Sequence, residues 1–113
     1  MGMFNELVLP EAEVCPRCGR RYHRVLQFKY GALTLRIYRV GERLDQEEYD
    51  EGRPGYRRVA TRALTRGCPH CGYDDDQMFR VVIEDDVITS VTPDSDEMAY
   101  LAQGHHYWLV LDE

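Results

Sequence analysis

The sequence predicts a small, mostly β fold with one short helix near the C-terminus, pinned at a single point by four cysteines. Three observations carry this. Two stretches, Cys15-Pro16-Arg17-Cys18-Gly19 and Cys68-Pro69-His70-Cys71-Gly72, are near-copies and together use every cysteine of the chain. Leu26, Phe28 and Tyr30 alternate with polar neighbours, as do Leu33, Leu35 and Ile37, which is the period of a half-buried strand. Two β-rich runs, at 79–83 and 87–91, flank the acidic turn Glu84-Asp85-Asp86 and read as a hairpin.

The elements follow in order. Residues 1–13 give a short apolar segment, Phe4 and Leu7-Val8-Leu9, then an acidic lead-in to the first cysteine pair. Residues 22–30 read as a strand, Gly31-Ala32 as a turn, and 33–37 as a second strand. Tyr38 and Val40 fall on its opposite phase, which signals a bulge or burial on both faces. Residues 41–55 carry six acids and end in Gly52-Arg53-Pro54-Gly55, the composition of a solvated, mobile loop closed by a turn. Residues 56–66 fit a helix through Arg58, Arg62 and Arg66, and a strand through Val59, Thr61 and Ala63. The strand feeding the second cysteine pair is the preferred reading. Pro93-Asp94-Ser95 opens the short helix, with Asp94 and Glu97 at capping-box spacing, Met98, Leu101 and Ala102 facing the core, and Gly104 as its end. Residues 105–111 read as a last strand.

The cysteine pairs carry the chemistry. In each motif the proline stiffens the approach to the turn and the glycine takes a conformation other residues resist. Backbone N–H groups can then point at the sulfurs. Four thiolates in two such turns match a closed tetrahedral site, so Cys15, Cys18, Cys68 and Cys71 are the expected Zn²⁺ ligands. Iron is the competitor, since a four-thiolate set suits it too. Disulfides within each pair would constrain little of the unfolded chain. Disulfides between the pairs belong to oxidising compartments, whereas Met1 to Pro10 lacks the basic start and apolar core of a signal peptide. A cytoplasmic setting is expected. A thioredoxin-like role would leave the second pair unexplained.

These paired CPxCG motifs resemble the knuckles of the zinc-ribbon group, and more distantly those of rubredoxins. The resemblance covers ten residues and implies a metal site. It implies no particular activity, because ribbons serve nucleic acids, proteins and enzymes alike. Forty-nine residues separate Cys18 from Cys68, more than a minimal ribbon or a rubredoxin needs.

At 113 residues the chain is expected to be one domain, 1–113, with the composition of a soluble protein and the acidic loop at 41–55. No apolar run reaches membrane-spanning length. Charge is segregated beneath the net −6: residues 1–66 hold thirteen bases and nine acids, residues 67–113 one base and eleven acids. Residues 14–40 hold seven bases and no acid, and residues 53–66 five bases, Arg58, Arg62 and Arg66 among them; with interleaved Tyr22, Phe28, Tyr30, Tyr38 and Tyr56 these segments could form a nucleic-acid surface. The acidic balance argues instead that basic strands pair with acidic ones inside one sheet.

Other candidates are weaker. The His70 ring is expected to point away from the metal, and His23 is either a donor to a thiolate or a surface residue. His105 and His106 would fall on opposite strand faces, which does not suit one shared ion. Asp74–Asp76 and Glu84–Asp86 match no calcium-loop spacing. No nucleophile elbow, phosphate loop or HExxH motif occurs, so no catalytic residue is assigned. The expected function is a non-catalytic, zinc-stabilised module that recognises another protein, an immunity or inhibitor protein being one form. A nucleic-acid-binding ribbon is the alternative, and a rubredoxin-like electron carrier the third.

Overall fold

The computed structural model describes residues 3–45, 47–94 and 107–112. These residues hold strands β1 (Asn5–Val14), β2 (Arg21–Phe28), β3 (Ile37–Arg39), β4 (Arg58–Thr65), β5 (Met78–Glu84), β6 (Val87–Pro93) and β7 (Trp108–Asp112). No helix occurs among them. The helix expected after Asp94 lies outside the described residues, as do His105 and His106. Of its expected start, Pro93 closes β6, and the Asp94 N–H is bonded to the Met78 carbonyl.

All seven strands join one sheet in the order β3-β1-β2-β4-β5-β6, with β7 also on β4. Period-2 alternation explains the face each strand buries. Leu7 opposes Leu26, Ala63 opposes Phe79, Thr61 opposes Val81 and Val59 opposes Ile83, so one inner face carries the apolar row. β4 is shared on one side: Ala63–Thr65 pair with β2, and Arg58–Thr61 with β7. The sheet then curls. Just after β3, Gly41 N–H bonds the Ile88 carbonyl at 2.7 Å, Ile88 N–H the Glu42 carbonyl at 3.0 Å, and Leu44 N–H the Asp86 carbonyl at 2.8 Å. The chain leaving one edge strand thereby reaches the other, and the result is a half-barrel around the core.

The β5–β6 hairpin stands where expected, on a turn with Asp85 and Asp86 at φ 51° and 66°, the left-handed pair that matches strand twist. Residues 58–65 form the expected strand. Three expectations change. Residues 1–13 are not expected as a strand, yet a ten-residue strand starts at Asn5 and pairs with β2 along Asn5–Val8 and Ala12–Val14; the bulge between Val8 and Ala12, around Pro10, hides the alternation. The strand expected over 33–37 shrinks to Ile37–Arg39 and takes the opposite phase, with Tyr38 buried and Ile37 57% exposed. Asn5 is the reason. Its buried amide donates to the Ala32 carbonyl at 2.9 Å and accepts from the Thr34 and Arg36 N–H groups, so it holds residues 32–36 as an irregular loop. The acidic stretch 41–55 is anchored rather than solvated throughout: Leu44 is 2% exposed, and Tyr49 packs edge-on against Tyr30.

Candidate metal centre

The two cysteine motifs are the tips of two hairpins. Cys15–Gly19 joins β1 to β2, and Cys68–Gly72 leads from β4 towards β5. Because β2 and β4 pair antiparallel, both tips project from the same end of the sheet. The backbone circuit is repeated in each. Cys15 N–H bonds the Arg20 carbonyl, and Cys68 N–H the Tyr73 carbonyl. Gly19 N–H returns to Cys15, and Gly72 N–H to Cys68, all at 2.8–2.9 Å. Gly19 and Gly72 sit at φ 73° and 82°, where a side chain would be strained. The N–H of Arg17 points at the Cys15 sulfur at 3.4 Å, and that of His70 at the Cys68 sulfur at 3.4 Å.

The four sulfurs fit a tetrahedral ion. All lie within 4.8 Å of one another, with Cys15 Sγ 3.7 Å from Cys71 Sγ and Cys18 Sγ 3.7 Å from Cys68 Sγ. A tetrahedron with metal–sulfur bonds of about 2.3 Å has edges of about 3.8 Å. Disulfide sulfurs stand about 2.05 Å apart, and all four thiols are free. Electrostatics make the same point. N–H groups of Cys18 and Arg17, working against burial, bring the Cys15 thiol down to about 7. At Cys71 the Tyr73 N–H also lowers the value, but burial and the thiols of Cys15, Cys18 and Cys68 outweigh it and push it up to about 11. Four clustered thiols cannot all ionise unless a cation shares their charge. A divalent Zn²⁺ or Fe²⁺ held by Cys15, Cys18, Cys68 and Cys71 resolves that conflict.

A second clasp lies beside the sulfurs. Tyr22 and Tyr73 pack against the cysteines. The Tyr22 hydroxyl donates to Glu13 at 3.3 Å. Buried Arg24 then forks both ways, to Glu13 at 2.7 and 2.9 Å and to Asp75 at 2.9 Å through both nitrogens. Its guanidinium also covers the Phe79 ring at 5.2 Å. Hydrogen bonds from Arg24 hold the Glu13 and Asp75 carboxyls below the usual range, against a smaller opposing effect of burial. Asp75 follows the second knuckle, so Arg24 ties both hairpins together independently of the sulfurs. Nothing in the sequence singled Arg24 out from its neighbours; only its place on the inward phase of β2 distinguishes it.

The remaining candidates serve the backbone or each other. His23 Nδ1 lies 3.0 Å from the Leu9 carbonyl and His70 Nε2 3.4 Å from the Arg21 carbonyl, so neither named nitrogen faces a sulfur. Asp74 accepts from the Asp76 N–H, and Asp86 from the Tyr49 hydroxyl and the Gly55 N–H. Arg66 pairs with Glu6 at 2.9 Å and Arg58 with Glu84 at 3.6 Å, while the Arg62 N–H bonds the Tyr107 carbonyl. The three arginines of the alternative nucleic-acid surface thus include two engaged with carboxylates. No catalytic-looking constellation occurs among the described residues, and no helix there is long and apolar enough to cross a membrane. Comparison with protein-family models, with curated proteins and with solved structures finds no match.

Proposed function

We propose that this chain is a non-catalytic binding module, a single domain whose half-barrel is locked by Zn²⁺ and which recognises another protein in the cytoplasm. The observation that carries the reading is how the reactive groups are spent. All four cysteines converge on one metal-sized tetrahedron, and Arg24, Glu13 and Asp75 satisfy one another beside it. Chemistry is committed to holding two hairpins together, which leaves recognition as the task of the surface. Two knuckle-tipped hairpins side by side also support kinship with zinc ribbons, with residues 29–57 as a long excursion between them. An immunity or inhibitor protein is one form such a module takes.

A specific observation keeps nucleic acid as the second reading. Arg17, Arg20 and Arg21 are exposed around the first knuckle and form no ion pair among the described residues. A metal tetrathiolate carries two negative charges, which these arginines would offset. An iron-loaded, rubredoxin-like carrier is the third. Metal analysis of anaerobically purified protein, followed by titration with single-stranded RNA and DNA across a salt series, separates all three. One zinc per chain and no nucleic-acid binding at physiological salt is the expected result. Micromolar binding that falls steeply with salt would replace the protein-binding reading, and a red protein with thiolate-to-iron absorption would move electron transfer forward.

A further inference from the structure

The half-barrel closes at one end and stays open at the other. β3 covers β1 only along Glu6–Val8, so among the described residues β1 beyond Leu9 has a strand neighbour on one side. The 41–44 stretch covers β6 only near Val87 and Ile88, so among the described residues β6 from Thr89 onward is likewise single-sided. Both strands run toward the cysteine end. Between their bare edges lies a cleft of about 450 Å³, with apolar walls from Leu9, Val40, Phe79 and Val91 and acids from Glu11 and Glu13.

We propose that this cleft binds a short extended peptide of the partner protein, one apolar residue seated between the edges and a lysine or arginine beside it. The inference rests on the binding-module reading. Two rows of backbone N–H and C=O groups at strand spacing are complemented by another extended backbone, and apolar walls between them take an alternate side chain. No base lines the cleft. Glu13 is already held by Arg24, but Glu11 is exposed and makes no ion pair among the described residues, so it sets the charge preference. The footprint is short. Pro10 and Pro93 lack N–H groups and end the usable edges, leaving 11–14 and 89–92. A second copy of this chain fits less well, because β1 against β1 would set Glu11 and Glu13 beside their own kind.

The test uses the full metal-loaded chain and a synthetic octapeptide of alternating valine and threonine flanked by lysines. Fluorescence anisotropy gives affinity, and amide shifts in ¹⁵N spectra give location. The expected result is saturable binding with shifts concentrated at 11–14 and 89–92. Affinity should fall at least tenfold when the central valine is proline or the flanks are glutamate, and Glu11→Lys should reverse the flank preference. Absence of saturable binding, shifts elsewhere, or protection of the same amides by concentration-dependent dimerisation overturns the cleft assignment. The two readings fail separately. A purified partner that binds while these amides stay unshifted removes the cleft and keeps the module. Cleavage of the bound peptide, seen by mass spectrometry, keeps the cleft and removes the non-catalytic reading.

Discussion

The two ends of the half-barrel are fastened by different physics, and only the far end bridges β1 and β6. At the knuckle end, four sulfurs and the Arg24 fork draw two hairpins together through a few strong, directional interactions. At the far end, the acidic stretch after β3 does the closing by packing. Leu44 fills the core, Tyr30 meets Tyr49 and Trp108 edge-on, and the Tyr30 hydroxyl donates to the Arg53 carbonyl at 2.8 Å. With a metal in the sulfur cluster, one end depends on a ligand and on pH. The other depends on shape, and Gly52 marks how tightly: a Cβ there would lie 2.1 Å from the Tyr30 ring. A protein built this way should lose its fold when the ligand end is broken, and lose stability by degrees when the packed end is trimmed.

The largest effect belongs to the ligand end. Structural zinc contributes on the order of 10 kcal/mol in small domains, comparable to the whole stability of a folded chain of this size. Cys68→Ser should therefore unfold the protein, with loss of β-type circular dichroism and of bound metal, and a strong chelator should do the same to the wild type. A folded, cooperatively melting Cys68→Ser protein would mean that Arg24 and the core hold the hairpins unaided.

The packed end should respond next. Leu44 is fully buried, and trimming such a side chain costs about 3 kcal/mol. Leu44→Ala should keep its metal and its fold while its unfolding free energy, read from denaturant titration, drops by that amount. A change below about 0.5 kcal/mol, the level of ordinary surface substitutions, would mean that 41–55 behaves as the solvated loop its composition suggests.

That contrast also explains what the sequence could reveal. The metal site was legible because its geometry is local: each Cys-x-x-Cys-Gly builds its own knuckle, and the ligand count closes without a remainder. The β5–β6 hairpin was legible for a similar reason, since its short acidic turn sits between two runs rich in β-branched residues. Closure by Leu44 was not, because one leucine among Glu42, Asp45, Glu47 and Glu48 gives no period, and its burial depends on β6 arriving from forty residues away. Asn5 misled in the other direction. Leu33, Leu35 and Ile37 carry a strand pattern, but a buried amide captures the backbone of that segment and Leu35 ends at φ 62°. Arg24 looked like any other arginine of a basic run until β1 and the second knuckle surrounded it.

The Arg24 clasp should matter less than either closure. Arg24 is nearly buried, but Glu13 and Asp75 are each about a third exposed, so solvent screens the pair. Arg24→Met should cost about 2 kcal/mol, below the cost of breaking a fully buried ion pair. Its pH signature is specific. Both carboxyls are held below their ordinary range, so their stabilisation is present above the unfolded-state value and is lost as pH falls through the folded-state one. The stability gap between wild type and Arg24→Met should thus be full near neutrality and close below about pH 4, the ordinary carboxylate range. A gap independent of pH would assign the loss to packing on Phe79 rather than to the ion pairs.

The smallest effect expected is at the far end, in the bond from the Tyr49 hydroxyl to Asp86 at 3.0 Å. Burial first, and the Asp86 carboxylate second, push the Tyr49 hydroxyl well above its ordinary value. A raised value on an acid favours the protonated folded state, so this stabilisation holds below the unfolded-state value and fades as pH rises beyond about 10. Asp86→Asn keeps a residue that tolerates the left-handed turn at φ 66° and keeps an acceptor oxygen, while removing the charge. It should cost about 1 kcal/mol at neutral pH. Combined with Tyr49→Phe, the two losses should be less than additive, since one variant weakens and the other removes the same bond. Full additivity would mean that Asp86 acts through the Gly55 N–H instead, and that the packed end is fastened at the turn rather than at the ring.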